Sequence, residues 1–246
     1  MRNLLLTLRF VGTNYCGYQV QNNGITIAEK IQDAIESLTG VRSDIKGCSR
    51  TDSGVHAFMY CLNFKTDSKI PVCKIVQGMN RFLPHDIAVY DCKEVPLDFH
   101  ARYFCKGKEY VYYFHNSYNK DPFLHSLAYR YGYNIDVDKL NKVGQILVGT
   151  HDFKSFCSVG TKVTDTVRTI YDFKAVRENE LVKVYISGNG FLFNMVRIIM
   201  GTMLWINNDR LSEDDLTEIL LSKDRSLAGP TAPAYGLYLN KVFYDL

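Results

Sequence analysis

The sequence predicts an α+β protein built from two similar halves. Strand-like alternation and helix-like periodicity of apolar residues take turns along the chain, and their order starts again near the middle. A length of 246 residues with 46% hydrophobic residues is enough for two packed cores. We therefore expect an N-terminal α+β domain over residues 1–104 and a C-terminal α+β domain over residues 105–246.

The first half has the order β-α-β-β-α-β. Residues 3–11 alternate like a strand, and the turn-rich segment 12–18 follows. Thr26 and Glu29 have the spacing of a capping box, so a helix begins there, and Gly40 ends it. The other elements expected in this half are strands near 43–50 and 55–65, a helix from Pro71 to before Pro84, and a strand over 86–95. This order is that of the ferredoxin-like fold, which many RNA-binding sheets share.

The second half restarts the pattern. Asp136 is in position to cap its first helix, and Ser212 is in position to cap its last. The expected elements are a strand over 108–116, a helix over about 136–148, strands near 166–176 and 181–188, a helix over roughly 192–206, the helix after Ser212 and a strand near 236–244. No low-complexity linker separates the halves, so we expect them to pack tightly around a shared cleft.

Charge and composition restrict the class of protein only mildly. The formal net charge of +3 permits nucleic-acid binding, provided that positive charge is concentrated on one surface. The 17 tyrosines can stack on unpaired bases, although most are expected in sheets and cores. Seven cysteines stand singly, which indicates neither a disulfide framework nor a zinc site. With no run of about 18 apolar residues, we expect a soluble, cytoplasmic protein without membrane association.

The segment Gly47–Ala57 carries the strongest chemical signal. It places Asp52 in a turn between two expected strands, two residues after Arg50 and two before Gly54. Backbone N–H groups and a nearby cation favour the ionised carboxylate, which can then act as a nucleophile. A surface turn in which polar side chains bond locally explains the same residues. From the residues alone, both interpretations stay open.

The same segment resembles the signature of the tRNA pseudouridine synthase A family, Gly-x-x-Arg-Thr-Asp-x-Gly-Val-His-Ala. The resemblance continues along nearly the whole chain in five further segments. These segments are Phe99–Arg102, Lys108–Tyr112, Gly149–Phe153, Asn194–Arg197 and Thr231–Leu237. Five such matches in one order are hard to obtain by chance.

The resemblance implies a fold, a reaction and a substrate. Family members have two ferredoxin-like halves whose antiparallel sheets merge around a central catalytic cleft, and they act as homodimers. They convert uridine to pseudouridine at positions 38, 39 and 40 in the anticodon stem-loop of tRNA. The reaction breaks the N1–C1′ bond, turns the uracil and rejoins it through C5, after the base has left its stack. The expected partner is therefore tRNA, and no cofactor or metal is implied.

The resemblance also assigns roles to residues of this chain. Asp52 matches the catalytic aspartate, Arg197 the arginine that pairs with it, and Tyr110 the tyrosine that lies against the target base. Arg50 is expected to contact RNA phosphate or to help displace the target nucleotide, and Leu237 to line the base pocket. Plainer explanations exist: the two arginines can be solvated or pair elsewhere, and Tyr110 and Leu237 can be ordinary core residues.

Two questions of mechanism stay open. Asp52 either attacks C1′ to form a sugar ester or removes a proton from C2′ to give a glycal. Tyr110 either only stacks on the base, or its hydroxyl also transfers a proton. The sequence decides neither question.

Several basic residues are candidates for contact with RNA phosphate around the cleft. They are Lys106, Lys108, Arg102, Arg81, Arg130, Lys154, Lys162 and Arg168. Each of them is more simply explained as a solvated residue. His56 is interpreted as structural or as shaping the turn, since it begins a strand. His151 and Asp152 are not expected to form a catalytic dyad, because adjacent residues of a strand point to opposite faces.

Two alternatives to a tRNA-modifying enzyme are kept. A non-catalytic RNA-binding protein would retain the fold and the basic cleft, but the presence of Asp52, Tyr110 and Arg197 argues against it. The second alternative is an enzyme with the same chemistry on another RNA, because surface loops and RNA shape decide the substrate.

Overall fold

The computed structural model describes residues 1–160 and 163–245, and the chain divides into two compact units. Unit 1 comprises Met1–Lys106 together with Tyr238–Leu246, and unit 2 comprises Gly107–Leu237. Each unit combines a β-sheet with α-helices, so the chain is an α+β protein, as predicted. All seven cysteines are free thiols. Among the described residues, no helix combines the length and the apolar character needed to cross a membrane.

Unit 1 contains the predicted series of elements. They are β1 (Arg2–Phe10), α1 (Ile27–Thr39), β2 (Ile45–Gly47), β3 (His56–Thr66), α2 (Val72–Phe82) and β4 (Ile87–Val95). Thr26 is confirmed as the N-cap of α1, because its hydroxyl accepts a hydrogen bond from the backbone N–H of Glu29. Gly40 ends the helix in a left-handed conformation, as the sequence predicts.

Unit 2 contains five strands and three α-helices among its described residues. The elements are β5 (Gly107–His115), β6 (Tyr129–Arg130), α3 (Val137–Gly144), β7 (Gly149–Asp152), β8 (Val167–Glu178), β9 (Leu181–Gly188), α4 (Met195–Asn207) and α5 (Asp215–Ser222). The last strand of the chain, β10 (Leu237–Phe243), begins at the end of unit 2 and runs through unit 1.

The sheet of each unit has a simple order. In unit 1 the order is β4-β1-β3-β10, and β2 also pairs with β3. The pairs β1–β3, β1–β4 and β2–β3 are antiparallel, whereas β10 runs parallel to β3. In unit 2 the antiparallel order is β5-β9-β8-β7, with the short β6 parallel to β5. Residues 48–55 connect β2 with β3, so Asp52 lies in the predicted connection.

Three boundaries in unit 2 differ from the prediction. The helix expected over 192–206 begins only at Met195, because Asn194 is left-handed with a φ of 59° and cannot belong to a right-handed helix. The helix expected from about 136 to 148 ends at Gly144, and a 3-10 turn follows it. Ser212 is not the N-cap of α5, which begins at Asp215. The two residues nevertheless exchange hydrogen bonds between side chain and backbone.

A chain segment that packs on α4 fixes the end of unit 2. Gly229 donates from its backbone N–H to the hydroxyl of Thr202 at 2.9 Å. A methyl group added to Gly201 would lie 1.7 Å from the carbonyl oxygen of Pro230, so this contact requires glycine in α4. We call residues 228–237 the α4-packed segment. It carries Leu237, one of the predicted site residues.

We predict that Gly201→Ala destabilises the protein. Alanine improves helix propensity by roughly 1 kcal/mol, but overlap with the Pro230 carbonyl forces a backbone shift that typically costs about 1 to 3 kcal/mol. Urea denaturation should therefore show a lower free energy of unfolding. Gly132→Ala is the matched control, because an added methyl meets no atom within 4 Å there, and it should stay within about 0.5 kcal/mol of the wild type. Equal stability of the two variants would contradict this account of the packing.

Candidate functional site

The turn that carries Asp52 is closed by its own backbone. The N–H of Val55 donates to the carbonyl oxygen of Asp52 at 3.1 Å, and Gly54 has a φ of +80° at the third position of the turn. A positive φ at this position is typical of a turn that favours glycine. The side chain of Asp52 is half-buried, whereas that of Arg50 is exposed. Arg50 and Asp52 thus lie in one connection of unit 1.

The loop after β1 packs against this turn and restricts it. The N–H of Tyr18 donates to the carbonyl oxygen of Thr51 at 3.1 Å, and the hydroxyl of Ser53 donates to the carbonyl oxygen of Tyr15 at 3.1 Å. Gly17 has a φ of +88°, and a methyl group there would lie 2.6 Å from the Thr51 oxygen. The residues on either side of Asp52 are therefore fixed. The sequence predicted this loop but no role for it.

Two buried tyrosines stabilise the connection between β2 and β3. The rings of Tyr18 and Tyr60 stack with centroids 4.6 Å apart, and the hydroxyl of Tyr60 donates to the carbonyl oxygen of Ser49. Burial raises the pKa of both phenols. Both hydroxyls therefore stay protonated at neutral pH and act as structural groups rather than as bases.

His56 has the structural role that the sequence predicted. Its ring is fully buried, and its Nδ1 accepts a hydrogen bond from the backbone N–H of Gly12 at 2.9 Å. The ring also lies 4.5 Å from that of Tyr238, measured between centroids. His56 thus joins the start of β3 to the loop after β1.

Arg197 is held in unit 2 by reciprocal hydrogen bonds to the α4-packed segment. Its Nε donates to the carbonyl oxygen of Ala232 at 2.8 Å, and the N–H of Ala232 donates to the carbonyl oxygen of Arg197 at 3.0 Å. A third bond runs from Nη1 to Oδ1 of Asn194 at 2.7 Å. The half-buried guanidinium is therefore oriented from two sides.

Asn194 has a positioning role that the sequence did not predict. It adopts the left-handed conformation that asparagine tolerates better than most residues. From there its Oδ1 accepts from Arg197, while its Nδ2 donates to the hydroxyl of Ser158 at 2.9 Å. The sequence distinguishes Asn194 only as the first residue of the segment Asn194–Arg197. Its conformation depends on the fold and leaves no periodic signal in the sequence.

Tyr110 and Leu237 are buried, which suits both a site residue and a core residue. Tyr110 lies in β5 opposite Ile186, and its ring meets that of Phe191 edge to face at 5.0 Å between centroids. Leu237 is 6% exposed and follows a short 3-10 turn. Tyr112 lies on the same face of β5 as Tyr110, and its hydroxyl donates a hydrogen bond to the carbonyl oxygen of Pro233 in the α4-packed segment at 2.7 Å. The roles of Tyr110 and Leu237 stay predictions.

The predicted phosphate-contacting residues of unit 1 lie on its surface. The guanidinium of Arg102 lies 6.0 Å from the ring centroid of Tyr103, which is itself 75% exposed. Lys106 lies 3.3 Å from Asp245, but both side chains are well exposed and the pair contributes little. Arg81 is exposed on α2.

The corresponding residues of unit 2 are less uniform. Lys108 is half-buried in β5, whereas Arg130 and Lys154 are exposed. Arg168 is half-buried and donates to backbone carbonyl oxygens at its own strand end. Lys162 lies outside the described residues.

His151 and Asp152 do not form a dyad, as predicted. The Nε2 of His151 lies 3.1 Å from the carbonyl oxygen of Val148. The carboxylate of Asp152 accepts from the hydroxyl of Thr166 and pairs with Lys223 at 3.0 Å. The described residues also contain no group of three or more His, Cys, Asp or Glu that could hold a metal ion.

Lys154 lines a cleft in unit 2 that the sequence did not reveal. The cleft measures about 400 Å³, and Lys223 and Arg225 also line it. These two residues follow Lys154 by about seventy positions, so nothing in the local sequence joins them. We call this feature the cationic cleft.

Comparison with known proteins agrees with the resemblance seen in the motifs. A family model described as tRNA pseudouridine synthase matches residues 7–104 and 144–245. The tRNA pseudouridine synthase A of Clostridium acetobutylicum is 44% identical over 244 residues, which are 99% of this chain and 100% of the relative. The proteins of the same name from Caldicellulosiruptor bescii and Thermoanaerobacter sp. strain X514 are 45% and 42% identical, with the same coverage. Since both the family model and these relatives span the Asp52 turn and the Arg197 helix, this chain belongs to the tRNA pseudouridine synthase family.

Proposed function

We propose that this protein converts uridine to pseudouridine at positions 38, 39 and 40 in the anticodon stem-loop of tRNA. The observation that carries the proposal is a complete signature segment, Gly47–Ala57, in a chain that resembles tRNA pseudouridine synthases A over its full length. The half-buried Asp52 in a restricted turn supports the chemistry. A carboxylate carried by a restricted backbone loses less freedom when it meets the reacting atom.

In this proposal Asp52 acts on the ribose of the target nucleotide. It either attacks C1′, which displaces uracil and forms a sugar ester, or removes the proton from C2′, which gives a glycal. In the first case C5 of the freed and turned uracil displaces the Asp52 carboxylate from C1′, and in the second C5 adds to C1′ while Asp52 returns the proton to C2′. In both cases the proton on C5 must then leave. One carboxylate is sufficient, whereas glycoside hydrolysis generally requires an acid and a base.

We assign the other residues to supporting roles. Arg197 pairs with the Asp52 carboxylate and keeps it ionised, and Tyr110 lies against the released uracil with its hydroxyl near C5. Leu237 lines the base pocket, and Arg50 contacts RNA phosphate or helps to displace the target nucleotide. Lys106, Lys108 and Arg102 contact the RNA backbone. The restrained guanidinium of Arg197 supports its assignment, because an arginine held by neutral groups can bind a carboxylate without losing side-chain freedom.

Four further expectations belong to this proposal. They are a homodimer, a cytoplasmic location, domains with limits 1–104 and 105–246, and a ferredoxin-like fold in both halves whose sheets merge around a central catalytic cleft. The strand order β4-β1-β3 with β2 beside β3 supports the ferredoxin-like fold in the first half. The change of compact unit between Lys106 and Gly107 supports a limit near residue 104, whereas Tyr238–Leu246 belong to unit 1 and not to the second unit.

Replacement of Asp52 by asparagine tests the central assignment. We expect Asp52→Asn to abolish pseudouridine formation, because an amide neither attacks C1′ nor removes a proton. Unfolding and tRNA affinity should change little. The assay is tritium release from tRNA labelled at uridine C5, with mapping of the modified positions. Asp67→Asn is the control, since it removes an exposed carboxylate of unit 1 whose ion pair, within the described residues, is with the N-terminus.

The outcomes separate the alternatives. Substantial turnover by Asp52→Asn would reject the catalytic role. If the wild type binds tRNA without forming pseudouridine in any RNA, the protein is a binding protein, and if it modifies other positions or another RNA, only the proposed substrate is wrong.

Replacement of Tyr110 by phenylalanine tests whether the hydroxyl transfers a proton. We expect Tyr110→Phe to reduce the single-turnover rate by about a hundredfold or more, because positioned proton transfer typically contributes that much. Tyr110→Ala should lose stacking of about 1 to 3 kcal/mol in addition. Tyr113→Phe, on the opposite face of the same strand, is the control. A nearly normal rate for Tyr110→Phe would leave the ring as a stacking surface only.

Replacement of Asn194 by glycine tests the positioning of Arg197. Glycine retains the left-handed backbone but removes both side-chain hydrogen bonds. A hydrogen bond to a charged group contributes about 1.5 to 3 kcal/mol, so we expect the single-turnover rate to fall by roughly tenfold or more. The Kd for tRNA should stay unchanged.

Ser158→Ala is the comparison variant, because it removes only the neutral bond to Asn194, and its effect should be smaller. A normal single-turnover rate for Asn194→Gly would show that the Asn194 side chain is not needed to orient Arg197. A weaker tRNA affinity with an unchanged rate would assign Asn194 to binding instead.

A further inference from the structure

The cationic cleft has more positive than negative charge on its walls. Among its described lining residues, Lys154, Lys223 and Arg225 are cationic, and Asp224 alone is acidic. The described lining residues lie between positions 154 and 160, at Val163 and Thr166, and at positions 223–225, where the 3-10 turn Arg225–Leu227 begins. A space of about 400 Å³ accommodates a phosphate group together with parts of its neighbours.

The acidic groups near the cationic cleft are already engaged. Oδ1 of Asp224 accepts from both the N–H and the hydroxyl of Ser226 at 2.8 Å, which caps the 3-10 turn. Asp152 pairs with Lys223 at 3.0 Å. Neither carboxylate forms an ion pair with Lys154 or Arg225. Within the described part of the chain, Lys154 and Arg225 therefore form no ion pair.

Arg225 is the residue that most strongly indicates an anion. Its guanidinium is half-buried and donates to two neutral groups, the carbonyl oxygen of Ala228 at 3.2 Å and the hydroxyl of Thr231 at 3.3 Å. Burial without a counter-charge lowers the pKa of the guanidinium, so the fold disfavours its charged form. A bound anion would remove this penalty and would find the guanidinium already oriented.

We propose that the cationic cleft binds a backbone phosphate of the RNA substrate, between Arg225 and Lys154. The proposal rests on the proposed function, in which the substrate is an RNA. Arginine combined with lysine is a usual donor set for phosphate, and neither residue matches a motif that carries the chemistry. Ser158 also lines the cleft and is bonded to Asn194, which orients Arg197. The cleft therefore adjoins the segment that holds Arg197 and serves to place the RNA.

The test is the salt dependence of tRNA binding by the full chain. Each phosphate contact contributes about 0.7 to 0.9 to the slope of log Kd against log salt concentration. We expect Arg225→Gln and Lys154→Gln each to reduce the slope by about this amount and to weaken binding severalfold at low salt. Lys174→Gln is the matched control, because it removes one exposed lysine of unit 2 from β8, and its slope should equal that of the wild type.

Lys154→Gln protects the test against misfolding, since the side chain of Lys154 is exposed and forms no hydrogen bond within the described chain. Unchanged slopes for both variants would overturn the proposal, as would an equal reduction for Lys174→Gln. A second titration uses inorganic phosphate without RNA. Phosphate binding that Arg225→Gln abolishes, together with an unchanged tRNA slope, would assign the cleft to a free anion and would also overturn the proposal.

Binding and catalysis fail separately in this design. A protein whose tRNA slope depends on Arg225 but which forms no pseudouridine would disprove the proposed function and support the cleft. A protein that forms pseudouridine with a slope independent of Arg225 and Lys154 would do the reverse.

Discussion

The proposed chemistry depends on one constraint, the restriction of the backbone around Asp52 by its contacts. The turn is closed by its own Val55 N–H, and the loop after β1 bonds to the residues on both sides of Asp52. Gly17 permits this close contact because any larger residue would meet the Thr51 oxygen. The buried Tyr18 and Tyr60 fill the space beneath. A carboxylate carried by such a turn has few other positions available, which is the preorganisation that a nucleophile or a base needs.

Arg197 is restrained by similar means in the other unit. Its helix begins where Asn194 turns left-handed, and its guanidinium is bonded to Asn194 and Ala232, which lie on different segments. The same α4-packed segment requires Gly201 and carries Leu237. In both units, then, a side chain that we propose to be catalytic extends from a backbone that the packing of a second segment restricts. If these side chains act as we propose, such contacts contribute to stability and to chemistry at once, so changes in them must be judged by both measurements.

Local signals made much of the fold predictable. The capping box at Thr26 and Glu29 and the left-handed Gly40 gave both ends of α1, and alternation gave the long strands. Where the prediction was wrong, the fold outweighed local preference. α4 starts later than predicted because Asn194 adopts a left-handed conformation, which its hydrogen bond to Ser158 stabilises. The Asp52 turn was recognisable because its residues are consecutive. Arg225 and Lys154 are distant in the sequence and line the same cleft only in the folded unit.

The weak net charge of this chain gives the position of each cation unusual importance. A net charge of +3 provides little general attraction for a polyanion, so affinity must come from a few placed contacts. Lys106, for example, pairs with Asp245, but both side chains are well exposed. An exposed pair of this kind contributes little free energy, because water can replace either partner. Arg225 differs because burial has already removed part of its hydration, and its bonds to neutral groups restrict its orientation. A phosphate bound to Arg225 would compensate for the hydration that burial has already removed, and it would not have to displace water from a fully hydrated guanidinium. This is the physical reason why one half-buried arginine can contribute more to RNA placement than several exposed lysines.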